Sequence, residues 1–223
     1  NYARSPIAVS PLIKEPVQLL RASISKTIEI KFPISASSDI ILAAPIEVQE
    51  ILMNLATNAS LAMQEKGGTL DISLTDINFE PDSPVFGADV SPGEYVQLAV
   101  KDTGTGMGPD VMKRVFEPFF TTREVGKGTG MGLAVVYGIV IDLHGTVTVE
   151  SELGIGSLFR VFLPKIKSDV KSESMQPDDN PGGSERVLFL DDEEMLAEWG
   201  HAALTRLGYK VTSMTDSVGA LKT

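Results

Sequence analysis

The chain has 223 residues, which at roughly 150 residues per domain amounts to about one and a half domains. Its composition, 43% apolar and 22% charged, is that of a globular protein and excludes wholesale disorder, collagen-like repeats and coiled coil. Zero cysteines exclude disulfides, thiolate metal sites and cysteine nucleophiles, two histidines leave little for a zinc site, and a net charge of −11 argues against nucleic-acid binding.

Apolar runs are all shorter than the about 18 residues a membrane span needs, and no secretion signal opens the chain, so this segment is expected to be cytoplasmic and to make no membrane contact. Ser10 to Ser23 reads as a helix carrying Leu12, Val17, Leu19 and Leu20, with Pro16 restricting its first turn. Thr27 to Phe32 alternates as a half-buried strand does. Pro45 can open a helix, and Ile46 to Lys66 keeps helical spacing through Val48, Ile51, Leu52, Leu55 and Ala59 until Gly67-Gly68 stops it. Leu70 to Thr75 and Tyr95 to Lys101 alternate like strands, with Asn78 to Gly93 a long hairpin loop. Met131 to Leu143 is apolar on nearly every face and reads as a buried helix, followed by strands at Thr146 to Ser151 and Leu158 to Leu163. This order predicts an α/β fold, a two-layer sandwich of sheet and helices.

Residues 165–200 hold ten Asp or Glu against four Lys or Arg, so over half of the net charge is local. Within this stretch Lys165 to Ser184 is polar, rich in Ser, Asp, Pro and Gly, and reads as a flexible linker. The expected division is 1–164, 165–184 and 185–223. In the last part Arg186 to Leu190 is a short apolar run ending in Asp191-Asp192-Glu193-Glu194, then a helix from Met195 to Leu207, a stop at Gly208 and a strand at Lys210 to Met214. Strand, helix, strand and the start of another helix open a parallel βαβ unit.

Two glycine clusters, Asp102-Thr-Gly-Thr-Gly-Met-Gly108 and Gly126-Lys-Gly-Thr-Gly-Met-Gly-Leu133, are either flexible loops or phosphate cradles. A P-loop needs Ser or Thr after the lysine, but Gly128 follows Lys127; a dinucleotide fingerprint needs a strand before the glycines, and Phe116 to Val125 is not one. The second cluster instead opens onto a helix, whose amino-terminal amides suit phosphate. Asp102, at a strand end, either caps a turn or accepts a hydrogen bond from an exocyclic amine such as that of adenine. Asn54 and Asn58 share one helix face, where their amides bond to nearby backbone or offer oxygen to Mg²⁺.

Asn54-Leu-Ala-Thr-Asn58-Ala, Asp102-Thr-Gly-Thr-Gly-Met107, Phe116-Glu-Pro-Phe-Phe-Thr-Thr122, Gly128-Thr-Gly-Met-Gly-Leu133 and Gly154-Ile-Gly-Ser-Leu-Phe159 resemble, in order and spacing, the N, G1, F, G2 and G3 boxes of sensor histidine kinases. The resemblance covers about residues 10–164. It implies the ATP-binding fold shared with gyrase-type ATPases, heat-shock chaperones and mismatch-repair ATPases: a mixed sheet backed by three helices, with Phe116 to Lys127 as a mobile lid over ATP. It further implies that Asn58 holds Mg²⁺, Asn54 supports the phosphates, and Asp102 reads the adenine amine. Gly104, Gly106, Met107, Thr122, Gly128, Thr129, Gly130, Met131, Gly132 and Leu133 would then line the nucleotide, with Arg123 and Lys127 as lid cations for its β- and γ-phosphates. Phe119 and Phe120 are lid or partner-docking hydrophobes, or simple core.

The family's hydrolases place a glutamate base where Asn54 stands, and an amide takes no proton near neutral pH, so a kinase is favoured over a gyrase-like ATPase or a bare nucleotide-binding module. Neither His144-Gly-Thr nor His201-Ala-Ala-Leu resembles the family's acceptor motif. The chain alone is expected to bind Mg-ATP without phosphorylating itself, its partners being the histidine-bearing dimerisation helices of a parent kinase and a receiver or response regulator. Val187-Leu-Phe-Leu-Asp-Asp-Glu193 resembles the start of a doubly wound response-regulator receiver, which implies a Mg²⁺ site at Asp191 and Asp192. The alternative is a negatively charged helix start. A receiver's phosphorylated aspartate is expected beyond Thr223, Asp216 arriving too early.

Overall fold

The computed structural model describes residues 3–80, 91–122, 129–166 and 183–216. In chain order these form β1 (Ser5–Ala8), α1 (Val9–Ser23), β2 (Ile28–Lys31), β3 (Ile40–Ala43), α2 (Pro45–Ala62), β4 (Gly68–Phe79), β5 (Gly93–Asp102), α3 (Pro109–Met112), α4 (Gly132–Asp142), β6 (Thr146–Glu152), β7 (Gly156–Pro164), β8 (Arg186–Leu190), α5 (Glu194–Arg206) and β9 (Lys210–Met214). Chain contacts separate two units, Asn1–Val17 with Ser25–Ser168, and Gln18–Ile24 with Asp169–Thr223. Among the described residues no helix is long and apolar enough to cross a membrane.

The first unit is built on a five-stranded mixed sheet in the order β2-β4-β5-β7-β6, with β2 parallel to β4 and the other neighbours antiparallel. Register puts Leu70, Ile72 and Leu74 on one face with Val100, Leu98, Phe159 and Val161. That face receives α2, whose Val48, Ile51, Leu52, Leu55 and Ala59 are all buried. Each large aliphatic side chain buried in this way contributes about 1.5–3 kcal/mol relative to exposure. Helix α2 starts at Pro45, where a missing amide proton costs nothing, and the Glu47 carboxylate accepts the Ala44 amide at 2.8 Å. Gly67, at φ +69°, ends the run that follows it.

Helix α4 lies against α2, β6 and β7. The expectation that it is buried on nearly every face is not met: Val136 and Val140 are buried, but Tyr137 and Ile141 are 46% and 45% exposed. An all-round apolar sequence shows which faces lack charge, not how many of them are covered.

Strands β1 and β3 form a separate antiparallel pair that the alternation did not suggest. Each has four residues, and each finds its partner some thirty positions away rather than in a hairpin. The chain leaves β7 alongside this pair, with Lys165 bridging Ile41 and the Ile166 amide donating to Ile40 at 3.1 Å.

In the second unit β8 and β9 are parallel, from Arg186↔Lys210 to Leu190↔Met214, with α5 between them in sequence. A Cβ at Gly200 would lie 2.4 Å from the Phe189 ring, so glycine lets the helix sit directly on the strand. The rest of the expected 78–93 loop (81–90), most of the 165–184 linker (167–182) and the expected helix start after Asp216 lie outside the described residues.

Candidate nucleotide site

The site begins where α2 meets the start of α4. Asn54 and Asn58 are half-buried on one side of α2, and Gly132, the first residue of α4, is backed against them. A Cβ at Gly132 would stand 2.7 Å from Asn54 Oδ1 and 3.7 Å from Asn58 Nδ2. Asn54 Nδ2 donates to the Glu50 carbonyl at 2.9 Å, so one half of this amide bonds to backbone and the other, its oxygen, faces α4. The Met131 amide donates to Thr129 Oγ1 at 3.3 Å, and among the described residues no side chain caps α4. An uncapped helix start beside amide oxygens is a place for anions and for a hard cation.

Asp102 is the last residue of β5 and only 4% exposed. Its Oδ1 accepts the Gly104 amide at 2.8 Å, as in a turn cap, and Ser157 donates to the carboxylate through both its amide and its hydroxyl. Burial pushes the carboxyl above its ordinary range, and these hydrogen bonds oppose that rise without cancelling it. A carboxylate can accept about four hydrogen bonds, so Asp102 retains room for one more donor. The turn capped by Asp102 is held close from both sides. Thr105 donates to the Ala62 carbonyl at 3.1 Å and accepts the Gly154 amide at 2.8 Å. Gly106, at φ +64°, leaves no room for a Cβ, which would fall 1.9 Å from the Glu152 carbonyl.

In the segment expected to be a lid, Phe119 is 75% exposed at φ +65°, whereas Phe120 is half-buried under the Arg114 guanidinium at 4.3 Å. Simple core packing thus does not describe Phe119. Phe116 does pack inward, against Tyr137 and Phe159 at centroid separations of 5.6 and 6.3 Å. Gly130, at φ +65°, accepts the Phe119 amide at 3.1 Å. Thr122 and Thr129 are exposed, and Met107 and Leu133 are half-buried. Arg123, Lys127 and Gly128 lie outside the described residues.

Sequence reasoning did not find Ser151 or Arg4, and it included Ser157 in the Gly154–Phe159 box without giving it a role. The two serines had a signal: they continue the inward register of Val147 and Val149 on β6 and of Phe159 and Val161 on β7. Polar residues at inward positions of an alternating strand need partners.

A family model described as histidine kinase-, DNA gyrase B-, and HSP90-like ATPase matches residues 43–167. The chain belongs to this family. Within it, the sensor kinase CckA of Brucella abortus (strain 2308) is 35% identical over 213 residues, 92% of this chain but 22% of that protein. The catalytic domain of histidine kinase ThkA superposes with a TM-score of 0.59 at 25% identity, over 74% of this chain and 97% of that domain. Full-length ShkA in complex with AMPPNP shares the fold over all of this chain and 43% of its own, with a TM-score of 0.56 at 24% identity. The chain therefore carries the ATP-binding catalytic domain of a sensor histidine kinase, with the mixed sheet and helices of that domain.

Elsewhere in the chain, Asp191 Oδ1 accepts the Glu193 amide at 2.9 Å and Asp192 is exposed. Among the described residues no three His, Cys, Asp or Glu side chains gather as a metal site. His144, at φ +57°, takes the left-handed position that ends α4, and His201 is exposed on α5, with Nδ1 3.3 Å from Ser213 Oγ.

Proposed function

We propose that residues 1–164 transfer the γ-phosphate of ATP to a histidine on dimerisation helices of a parent kinase, for relay to a receiver aspartate, in the cytoplasm. Residues 165–184 are then a linker and 185–223 the first part of a receiver, with Asp191 and Asp192 as its Mg²⁺ carboxylates. The parallel β8-α5-β9 arrangement supports this last assignment, because acidic residues at a strand's carboxyl end are where such sheets bind ligands.

The observation that carries the proposal is the contact of Gly132 with Asn54, which places two amide side chains on the uncapped start of α4. Asn58 would hold Mg²⁺ there, with Asn54 supporting the phosphates, and an amide oxygen fits because the ion prefers hard oxygens and needs few from the protein. When bound, the ion would neutralise charge on the β- and γ-phosphates. The amides of α4 orient the phosphates, Asp102 accepts the adenine amine, and Arg123 and Lys127 contribute lid charge. Gly104, Gly106, Met107, Thr122, Gly128, Thr129, Gly130, Met131 and Leu133 surround the nucleotide.

Asn54 cannot remove a proton from water, so the γ-phosphate is kept for the histidine acceptor rather than lost to hydrolysis. Phe119, exposed and in a backbone conformation costly for a bulky residue, is a docking side chain for the acceptor helices. His144, committed to ending α4, is not the acceptor. The test is to incubate the chain with Mg²⁺ and γ-labelled ATP, with and without a separate helical hairpin bearing an acceptor histidine. Label should appear on the hairpin histidine alone. Free phosphate without transfer would establish an ATPase, and acid-labile label on His144 or His201 would contradict the assignment.

A further inference from the structure

Ser151 and Ser157 stand opposite each other on β6 and β7, their hydroxyl oxygens 2.9 Å apart. Ser151 Oγ also accepts the Met107 amide at 2.8 Å and donates to the Gly156 carbonyl at 2.9 Å. Each hydroxyl has a single proton. The Ser151 proton is on the Gly156 carbonyl, so the Ser157 hydroxyl is the donor toward Ser151 Oγ as well as toward the Asp102 carboxylate beside it. Gly156 in turn abuts Asp102, where a Cβ would fall 2.1 Å from the Asp102 carbonyl. Ser151 thus links the Met107 amide to Gly156 and Ser157, the two residues that lie against Asp102.

The turn from Asp102 to Met107 is held at its middle by Ala62 and Gly154, and at its far end by Ser151. Both ends of the turn thus answer to one pair of serines. We propose that Ser151 is the positioning residue for base selectivity, fixing the Asp102–Met107 turn so that the pocket takes a 6-aminopurine in preference to a 6-oxopurine. A 6-amino group donates to the remaining acceptor site of Asp102, whereas a 6-oxo group turns lone pairs toward a carboxylate. That discrimination survives only while the carboxylate and the turn beside the base keep a fixed separation. The phosphates engage α4, a different element, and are indifferent to Ser151. This inference rests on the reading of Asp102 as the adenine contact.

The experiment is calorimetric titration of the whole chain with Mg-ATP and with Mg-GTP, using Ser151→Ala, Ser151→Thr, Thr148→Val and Asp102→Asn. Thr148 is on the same strand, and its buried hydroxyl has no hydrogen-bond partner among the described residues, so Thr148→Val reports removal of a hydroxyl as such. Ser151→Ala should lower the ATP-over-GTP preference by about tenfold, equivalent to about 1.4 kcal/mol, with GTP affinity unchanged. Ser151→Thr should restore the preference and Thr148→Val should leave it intact. Equal losses for the two nucleotides, or an unchanged ratio, in Ser151→Ala would overturn the inference while leaving the adenine contact standing, provided Asp102→Asn still weakens ATP. Unchanged ATP affinity in Asp102→Asn would remove the adenine contact itself and the inference with it.

Discussion

Arg4 joins the first turn of α2 to the last residue of α4. Its Nε and Nη2 donate to Glu47 at 3.1 and 2.6 Å, and its Nη1 donates to the Asp142 carbonyl at 2.7 Å. Helix α2 carries Asn54 and Asn58 further along, and α4 begins at Gly132 beside them, so Arg4 ties the two helices together away from the candidate site. Burial pushes the Glu47 carboxyl up, but Arg4 and the Ala44 amide outweigh it and hold the group below its ordinary range. Arg4→Ala should cost about 1–3 kcal/mol in urea denaturation, because it leaves an almost buried carboxylate with only a backbone partner. Arg4→Lys should recover less than half, since an ammonium cannot fork across a carboxylate and a carbonyl. An unchanged midpoint in Arg4→Ala would show that the clamp is idle.

Acid should act through Asp76. Lys165 approaches it at 2.5 Å and the Ser37 amide at 2.6 Å; burial raises its pKa, but these partners bring the carboxyl from an ordinary 3.8 to about 2. A depressed carboxylate stabilises the fold above its unfolded value, and that contribution is lost as pH falls from the one value to the other. Discounted for solvent screening, the loss is about 1 kcal/mol. Asp76→Asn should flatten denaturation midpoints measured between pH 4.5 and 2.5, within about that range of a carboxylate's titration. A slope identical to the parent's would refute the assignment.

Asp102 has the opposite sign. Its raised folded-state pKa favours the protonated form relative to an ordinary carboxyl, and the stability this contributes at low pH fades as pH rises through the folded-state value. ATP needs the ionised form, so affinity should fall on acidification at a higher pH than for an ordinary carboxylate. Asp102→Asn should weaken ATP by about tenfold to hundredfold, the range for losing a charged hydrogen bond, and should abolish this difference between ATP and GTP pH profiles. A parallel pair of profiles in the parent protein would count against the assignment.

Two glycines of α4 should respond in opposite ways to alanine. Gly132→Ala places a methyl group 2.7 Å from Asn54 Oδ1 and should depress Mg-ATP affinity sharply. Gly138 has nothing within 4 Å of an added Cβ, so Gly138→Ala should stabilise the helix by about 0.5–1 kcal/mol and leave nucleotide binding alone. Similar affinities for the two variants would show that the Gly132 contact does not shape the site.

The elements with strong periodicity were legible in the sequence: α2, α4, α5 and the β4-β5 and β6-β7 ladders lie where spacing put them, within a few residues. The site was half legible. Asn54 and Asn58 declared themselves by sharing a helix face, and Asp102 by ending a strand beside glycines. Strands β1 and β3 were hidden because four residues are too few to show alternation, and the ladder that stabilises each lies far off in sequence. Arg4, Lys165 and Ser151 were hidden for a related reason. Their partners, Glu47, Asp76 and Met107, are remote, and composition does not tell a polar residue with a fixed partner from one facing water.

The Phe119 amide donates to the Gly130 carbonyl at 3.1 Å, which holds these two positions together across the stretch between them in sequence. Strands β5 and β7, which flank this stretch in sequence, pair with each other without its help. Its length can therefore change over evolutionary time for little, about 0.6 kcal/mol per doubling in loop-closure entropy, while sheet register and the start of α4 stay in place. Insertions and charge changes between these two positions are a route by which kinases of one fold diverge in how long they hold a triphosphate.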